Sequence, residues 1–571
     1  MSIVKRLSIV FAFSVVPLTS FAQQQAATIN QVVDETVRQE HAEMELLRHY
    51  SPLVETYIQD VRPDKNLGTV PDGDKYFLGR AQLAKGAVIE PLIAPTGFMQ
   101  RRLPALHSFI SEEFNFDPRG FLQMIYVDTG DFDRQHYSFD YVGRVFLGDV
   151  RCFVFDIEPL QGAGRGRFVG RIWVEDHDYH IVRFNGTYSG SSRLMGYYFN
   201  FDSWRTRADN GQWLPTAIYS AEGDVERGRT RGTSLKAVKA QTRLWGYSLN
   251  QSSLREQELA TIRVDGETPI DDQAESINDY SAVQAERSWN RQAEDNVTGK
   301  LERLGLLASY GDVDKILETV VNNLEVTSDL DIQPEVRCRV LMTSTFESFT
   351  VGHTIVLSRG LIDVIPDEAT LAAILAHELG HMLLGNGDQV DSEFAFFGLL
   401  RFNERDVFHH FDFAHTPDEE QAANQKGKEL LQKSPYKDDL ENAQLFLRAL
   451  QSRSKDIPAL VSPHLGDKVS TDWQLSSPAS SQQNVPEKHV ANIITALPLG
   501  GRIKVEPWTD HLEMMKTKPA SSVAEHEKRP FEVTPLFIYL TRGDEVPPRR
   551  PVGAVAAQSD AAAVDPDLRE K

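Results

Sequence analysis

The spacing of apolar residues changes character along this chain of 571 residues, and that change limits the folds open to it. Over 28–60 apolar residues recur every three or four positions, which predicts a helix. From 76 to about 250 the spacing becomes two, with turn signals between aromatic-rich runs, which predicts antiparallel strands. Helical spacing returns after residue 300. The chain is therefore predicted to be a multidomain α+β protein.

Shifts in pattern and composition divide the chain into seven predicted segments. They are a signal peptide (1–22), an N-terminal helical segment (23–75), an antiparallel β domain (76–265), a helical linker (266–300), a mainly helical domain with a small edge sheet (301–475), a C-terminal extension (476–544) and a disordered tail (545–571). The sheet of the β domain is expected to curve around an apolar hollow as a half-barrel. Its pattern is similar to that of periplasmic lipoprotein carriers, a likeness that concerns the fold alone.

The N-terminus has the pattern of a cleavable secretory signal. Lys5 and Arg6 precede a short apolar run, and Ser20-Phe21-Ala22 offers small residues for cleavage. The apolar run is shorter than the ~20 residues that span a bilayer, which argues against an uncleaved anchor. No cysteine stands at the cleavage point, so a lipoprotein is not expected. The predicted location is the periplasm or the exterior.

Charge and cysteine content exclude several other classes of protein. The formal net charge of −22 argues against a nucleic-acid surface and against binding to anionic lipid. No later apolar run is long enough for a membrane span, so no stable membrane insertion is expected after cleavage. Cys152 and Cys338 lie in different predicted domains and are expected to be buried free thiols.

The sequence 371–385 predicts a strongly apolar helix that carries three polar side chains. His377 and His381 are four residues apart, so their imidazoles lie on one face and can bind one tetrahedral zinc ion. Glu378 on the adjoining strip can take a proton from a zinc-bound water, as in His-Glu-x-x-His hydrolases. Incidental histidines on a solvated helix are the alternative, which the apolar flanks argue against.

A catalytic zinc ion needs a third protein ligand and an open position for water. A histidine ten residues after the first is excluded, because that position is Gly387. Three nearby histidines follow no spacing that supports ligation: His409, His410 and His415. The better candidate is a glutamate of the helix predicted over about 418–432, which begins with Glu419 and Glu420.

Residues 310–470 resemble the HtpX and CAAX-prenyl-endopeptidase family of gluzincins, metallopeptidase family forty-eight. That family pairs His-Glu-x-x-His with a later Glu-x-x-Ala-Asp. The resemblance implies that Glu420 is the third ligand of one zinc ion per chain, with Glu419 in reserve. Asn424 stands in place of the family's aspartate, which accepts a hydrogen bond from a ligand histidine. An amide oxygen can accept this bond but brings no charge.

Other positions agree with the family or depart from it. The lead-in 358–362 (Ser-Arg-Gly-Leu-Ile) agrees, whereas 347–349 (Glu-Ser-Phe) replaces the usual Asn-Ala-Phe. The resemblance implies that Thr354 to Leu357 form an edge strand on which a polypeptide substrate binds as an extended strand. It also implies that His464 stabilises an oxyanion, although a surface histidine with no such role is equally compatible.

Two functions remain open on the sequence. The first is a zinc-dependent endopeptidase of the cell envelope, active in protein quality control, whose β domain contacts an envelope protein partner. The second is a non-catalytic chaperone, or a lipid- or protein-binding module, built on a peptidase-like scaffold. Asn424 and the altered 347–349 leave room for the second function. Zinc binding without cleavage that depends on Glu378 would favour it.

Overall fold

The computed structural model describes most of the two predicted folded regions. The described residues are 28–64, 68–93, 118–147, 150–164, 166–189, 199–208, 211–222, 237–247, 282–365, 367–385, 407–408, 411–438, 440–469, 503–505 and 512–514. The predicted signal peptide and the predicted tail from 545 onward lie outside them, as do 248–281, which include the first part of the predicted linker.

The N-terminal half forms a single ten-stranded antiparallel sheet. Its strands are β1 (Leu53–Asp64), β2 (Gly68–Gln82), β3 (Val88–Pro91), β4 (Tyr137–Leu147), β5 (Val150–Pro159), β6 (Phe168–Glu175), β7 (Ile181–Tyr188), β8 (Phe199–Arg207), β9 (Trp213–Glu222) and β10 (Ala237–Trp245). The spatial order is β3-β2-β1-β10-β9-β8-β7-β6-β5-β4. Strands β4 to β10 therefore follow one another as a meander, which the turn signals predicted.

A helix covers one side of this sheet. Helix α1 (Ile29–Leu47) begins at a capping box formed by Thr28 and Gln31, and it buries Val32 and Val33 in a core with the phenylalanines of β5 to β8. A short helix α2 (Pro118–Gln123) joins the same core. This core also contains a fully buried ion pair, in which Arg205 donates two hydrogen bonds of 2.7 Å to the carboxylate of Glu40.

The N-terminal helical segment is shorter than the sequence predicted. Helix α1 ends at Leu47, and 53–64 and 68–82, placed in the predicted segment 23–75 or at its border, are strands of the sheet. Pro52 cannot continue the helix, and it comes directly before β1. The apolar residues Leu53, Val54 and Ile58 fit a helical spacing by coincidence, and pairing with β2 and β10 decides their conformation.

The C-terminal half is mainly helical. Its helices are α3 (Ala282–Arg303), α4 (Asp312–Ser328), α5 (Arg359–Val364), α6 (Glu368–Leu383), α7 (Pro417–Lys433) and α8 (Leu440–Arg453). Helix α3 is no linker in its described part, because Ala293, Val297 and Leu301 are buried in the same core as α6. The predicted fold class is confirmed: a helix and a large antiparallel sheet precede a helical domain with a small sheet.

The small sheet corrects one prediction about the substrate strand. Its strands are β11 (Arg337–Leu341), β12 (Glu347–Val351), β13 (Thr354–Ser358) and β14 (Asp467–Lys468), in the order β11-β13-β12-β14. Residues 354–357 therefore lie inside the sheet, between β11 and β12, and the prediction of an edge strand there is wrong. Strand β11 pairs in parallel with β13 and covers the edge that the sequence left open. Which strands pair depends on long-range contacts that a local sequence pattern does not show. A further short hairpin consists of β15 (Ile503–Val505) and β16 (Leu512–Met514).

The two halves meet through buried polar contacts. The indole of Trp245 donates to the carbonyl of Gly305 at 2.8 Å, and Arg80 donates to the carbonyl of Leu304 at 3.0 Å. The carboxylate of Glu55 on β1 accepts from both the amide and the hydroxyl of Ser344, at 2.6 and 2.7 Å. The sheet is thereby fastened to the loop that leads into β12.

Two further findings concern the cysteines and the length and polarity of the helices. Cys152 and Cys338 are both buried and unpaired, and burial raises the pKa of each thiol. Within the described residues, every helix is either too short or too polar to cross a membrane.

Candidate active site

Helix α6 holds its two histidines in a fully buried environment. Asp367 caps the helix by accepting a hydrogen bond of 2.8 Å from the amide of Thr370, and Glu368 lies in the first turn. The side chains from Ala369 to Met382 are buried, including His377, Glu378 and His381. Three ionisable groups in an apolar interior need partners, because an unpaired buried charge is costly.

Helix α7 supplies the carboxylate that reaches these histidines. Thr416 and Glu419 form a capping box, in which the Glu419 carboxylate accepts from the amide of Thr416 at 2.8 Å. That role leaves Glu420 to face α6. The structure thus brings Glu420, rather than Glu419, onto the two histidines.

The three donor atoms form a compact triangle. The two Nε2 atoms of His377 and His381 are 3.0 Å apart, and the Glu420 oxygens lie 3.1 Å from His381 Nε2 and 3.4 Å from His377 Nε2. Ligands about 2.0–2.1 Å from a tetrahedral metal are separated by roughly 3.3 Å, so this donor set fits one face of a zinc ion. Burial alone would raise the pKa of Glu420, but its contacts with the two imidazoles lower the pKa below the ordinary value. The carboxylate is therefore ionised, as a ligand must be.

Close contact between α6 and α7 makes this triangle possible. A Cβ on Gly380 would meet the carbonyl oxygen of Ala423 at 2.6 Å, and a Cβ on Gly427 would meet that of Ala376 at 2.9 Å. Both distances are shorter than carbon–oxygen contacts in proteins allow, so only glycine fits at the crossing. The two glycines therefore bring Glu420 within reach of α6.

The two histidines are held in different ways. Asn424 Oδ1 lies 3.0 Å from His377 Nδ1, and an Nδ1–H that donates to this oxygen gives the tautomer whose Nε2 can bind a metal. Burial lowers the pKa of His377, which favours the neutral ring that metals bind. The Nδ1 of His381, by contrast, is buried and has no hydrogen-bond partner among the described residues.

Glu378 has the environment of a general base. Its Oε1 accepts a hydrogen bond of 2.6 Å from the hydroxyl of Ser348 on β12, and its Oε2 is buried without a partner in the described part of the chain. Burial and the nearby charge of Asp467 raise the pKa of Glu378 well above its ordinary value. A carboxylate of raised basicity is suited to accept a proton from water near neutral pH.

The structure adds two residues that the sequence did not single out as part of the site. His415, set aside because of its spacing, lies flat on the ring of His381 with centroids 3.7 Å apart. Asp467 accepts from its amide at 2.8 Å and lies 2.5 Å from its Nδ1. Burial would lower the pKa of His415, but the hydrogen bond and charge of Asp467 raise it. His381, His415, Glu420 and Asp467 have ligand atoms within 4.8 Å of one another. No local pattern pairs residues 52 positions apart, so only the fold reveals this contact.

His464 lies in the segment that leads into β14. Its ring stacks on Tyr76 of the ten-stranded sheet, with centroids 5.3 Å apart, and its Nε2 is buried without a partner among the described residues. Its amide donates to Glu347, which also accepts from the amides of Leu465 and Gly466. The departure at 347–349 thus has a structural use, since Glu347 anchors this segment beside the site.

The comparisons with known proteins identify the region around this site. Residues 312–398 match the model of peptidase family M48. No curated protein matches the chain. A solved outer membrane lipoprotein-sorting protein domain from Vibrio parahaemolyticus aligns over 40% of this chain and 99% of its own, at 9% identity and a TM-score of 0.18. A score this low does not establish a shared shape.

The matched stretch contains α4, the small sheet except β14, and the whole of α6 with both histidines and Glu378. Residues 312–398 are thus similar to peptidase family M48.

Proposed function

We propose that the protein is a zinc-dependent endopeptidase of the cell envelope. The observation that carries this proposal is the triangle of two imidazole nitrogens and one carboxylate on α6 and α7, with the buried Glu378 beside it. The family match at 312–398 supports peptidase chemistry. His377, His381 and Glu420 would hold the metal.

The protein's own residues define the proton path. A bound zinc ion would polarise the scissile carbonyl and acidify the attacking water. Glu378 then takes the proton of that water at Oε2, which has no partner among the described residues, and later delivers it to the leaving amine. The Ser348 hydroxyl holds Oε1, which fixes the orientation of the carboxylate between these two steps.

The polypeptide substrate is proposed to bind as an extended strand along β12, in place of the strand 354–357. Strand β12 is the one whose Ser348 touches the general base. Its pairing with β14 takes up only Glu347 and Ser348. A substrate paired with the rest of β12 would run past Glu378, by strand addition to a sheet edge.

His464 is proposed to stabilise the oxyanion that forms on the scissile carbonyl. Its Nε2 is buried and unpartnered in the described part of the chain, so it is available as a donor, although burial lowers the pKa of the ring. We expect His464→Gln to lower kcat by about 10²-fold, as the loss of one oxyanion donor does, while zinc content stays unchanged. Unchanged kcat would remove His464 from the mechanism.

The proposed cellular role is proteolysis of envelope or misfolded proteins in the periplasm or outside the cell. The predicted signal peptide supports export, and the ten-stranded sheet offers a surface for an envelope protein partner. The large sheet lies directly against the segment that precedes β14, so a protein bound to the sheet would lie next to the proposed site.

The decisive experiment compares zinc content with cleavage of casein. We expect Glu378→Gln to retain one zinc ion per chain and to lose activity by about 10²–10⁴-fold, because only the general base is removed. Glu420→Gln should lose both the bound zinc and the cleavage activity. Glu419→Gln changes a matched glutamate in the same helical turn and should keep both the zinc and the activity. Cleavage that survives Glu378→Gln would contradict the proposal. Full zinc occupancy with no cleavage by the parent chain would favour the non-catalytic binding protein.

A further inference from the structure

The two histidines of α6 differ in what fixes their rings. A ligand histidine ordinarily donates its second ring N–H to an acceptor, which sets the orientation of the ring. Asn424 fills this role for His377 at 3.0 Å. His381 lacks it, since its buried Nδ1 has no hydrogen-bond partner among the described residues. Some other contact must therefore hold the His381 ring.

That contact is the face of a third imidazole. The rings of His381 and His415 are nearly parallel, with an interplanar angle of 16° and centroids 3.7 Å apart. The other neighbouring ring, that of His377, meets His381 edge-on at 84°. His381 is thus held by an edge contact on one side and a stacked face on the other, an arrangement that limits rotation about its side-chain bonds.

The stacked ring is itself held firmly. Asp467 accepts from the amide of His415 at 2.8 Å and lies 2.5 Å from its Nδ1, and both side chains are more than 90% buried. Asp467 in turn belongs to β14, which pairs with β12 at Ser348. A continuous set of contacts therefore runs from the sheet through Asp467 and His415 to the metal ligand.

The geometry points to His415 as a positioning residue that orients the zinc ligand His381 by stacking, with Asp467 as its clamp. This inference rests on the proposed zinc site. It assigns His415 a role through the face of its ring and not through a nitrogen, so it is neither a zinc ligand nor a proton donor. An aromatic ring without nitrogen should do the same work.

The test measures zinc affinity by competition with a chromophoric chelator, in the full chain. We expect His415→Ala to weaken zinc binding by about 10–100-fold, the usual cost of losing a contact that orients a metal ligand. His415→Phe should recover most of the zinc affinity that His415→Ala loses, because its ring restores the stack although it lacks the contact of the imidazole with Asp467. Asp467→Ala should weaken zinc binding in the presence of His415 and have little effect in the His415→Phe background. His136→Ala, which removes a partly exposed histidine–aspartate pair from the turn before β4, should leave zinc affinity unchanged.

Two outcomes would overturn the inference. If His415→Phe loses as much zinc affinity as His415→Ala, the nitrogen and not the stack matters. If His415→Ala binds zinc normally, His415 does not orient His381. The proposed zinc site has a separate check, because it fails if the parent chain binds no zinc or if binding survives His377→Ala.

Discussion

Asn424 shows how one residue can keep the geometry of a metal site while changing its charge. Its amide oxygen lies 3.0 Å from His377 Nδ1, the place where the resembling family has a carboxylate. The hydrogen bond that sets the ring is therefore kept, but the negative charge that strengthens a ligand imidazole is missing. The site should hold zinc less tightly than a site with aspartate at this position.

Substitutions at Asn424 test this reading of its charge. We expect Asn424→Asp to tighten zinc binding and Asn424→Ala to weaken it by about 10–100-fold, because the first adds charge and the second removes the acceptor. Equilibrium dialysis against a zinc buffer measures both. The idea fails if the alanine variant binds zinc as well as the aspartate variant does.

A buried acid in α1 should make the stability of the protein depend on pH. Burial and the charge of Glu40 raise the pKa of Glu43 to about 7, against the opposing effect of Arg205. Because its folded pKa exceeds the unfolded value of 4.5, its contribution to stability is full below pH 4.5 and is lost as pH rises through 7.

Removal of this acid should flatten the pH profile. We expect the free energy of unfolding of Glu43→Gln, relative to the parent chain, to rise by about 2–3 kcal/mol between pH 5 and pH 8. Urea unfolding at both pH values measures this difference. Glu45→Gln, at an exposed position of the same helix, is the control and should show no such rise. A constant difference between Glu43→Gln and the parent would show that Glu43 titrates normally.

The sequence predicted those site residues that follow from local spacing. His377, Glu378 and His381 lie within one helix, so four-residue periodicity was enough to place them together. Glu420 needed the family resemblance. Ser348, His415 and Asp467 were not assigned to the site, because their proximity to it depends on how β12, β14 and α7 pack, which no local pattern records.

At the scale of elements, the crossing of α6 and α7 determines whether the site exists. Gly380 and Gly427 let the two helix backbones touch, and both ligand sets lie within one turn of that contact. The helices themselves were predictable from the spacing of apolar residues, and the structure adds the caps at Asp367 and Thr416. The order of the strands in the small sheet was not, because pairing partners distant in sequence decide it.

An added methyl group at the crossing should separate the ligands. We expect Gly427→Ala to weaken zinc binding and to lower the free energy of unfolding by about 1–3 kcal/mol, because its Cβ would meet the carbonyl of Ala376 at 2.9 Å. Zinc titration and urea unfolding measure the two effects. Gly299→Ala in α3, where the nearest atom is the end of Arg303 at 3.7 Å, should instead gain up to about 1 kcal/mol from helix propensity. Equal effects of the two substitutions would show that the crossing is not tight.

At the scale of the whole molecule, the large sheet supports the peptidase site directly. Asp74 on β2 accepts from the amides of Ala459 and Leu460 at 2.8 and 2.9 Å, and Tyr76 stacks on His464. The segment between these contacts and β14 therefore has the sheet on one side and Glu347 on the other. The domain boundaries predicted from composition did not indicate that the sheet contacts this segment, because the contacting residues are more than 380 positions apart.

Loss of the Asp74 contact should loosen that segment without touching the metal ligands. We expect Asp74→Ala to lower the free energy of unfolding by about 1–3 kcal/mol, the cost of leaving buried amides without acceptors. Hydrogen–deuterium exchange should rise at Ala459 and Leu460. Asp72→Ala, which removes an exposed ion pair with Arg62 from the same strand, is the control. Unchanged exchange at both amides would show that the sheet does not hold the segment.

The distance in sequence between Asp74 and Ala459 also determines the order in which the contacting parts of the protein are synthesised. All ten strands of the large sheet leave the ribosome before the first histidine of α6 has been added to the chain. Glu420 follows 43 residues after that histidine, and Asp467 comes last of all. Because domains fold from the N-terminus as the chain emerges, the sheet can form before the segment at Ala459 that it contacts. That segment is made nearly four hundred residues after Asp74. Until Asp467 has been added, a nascent chain therefore lacks part of the proposed site, and the proposed hydrolysis cannot begin.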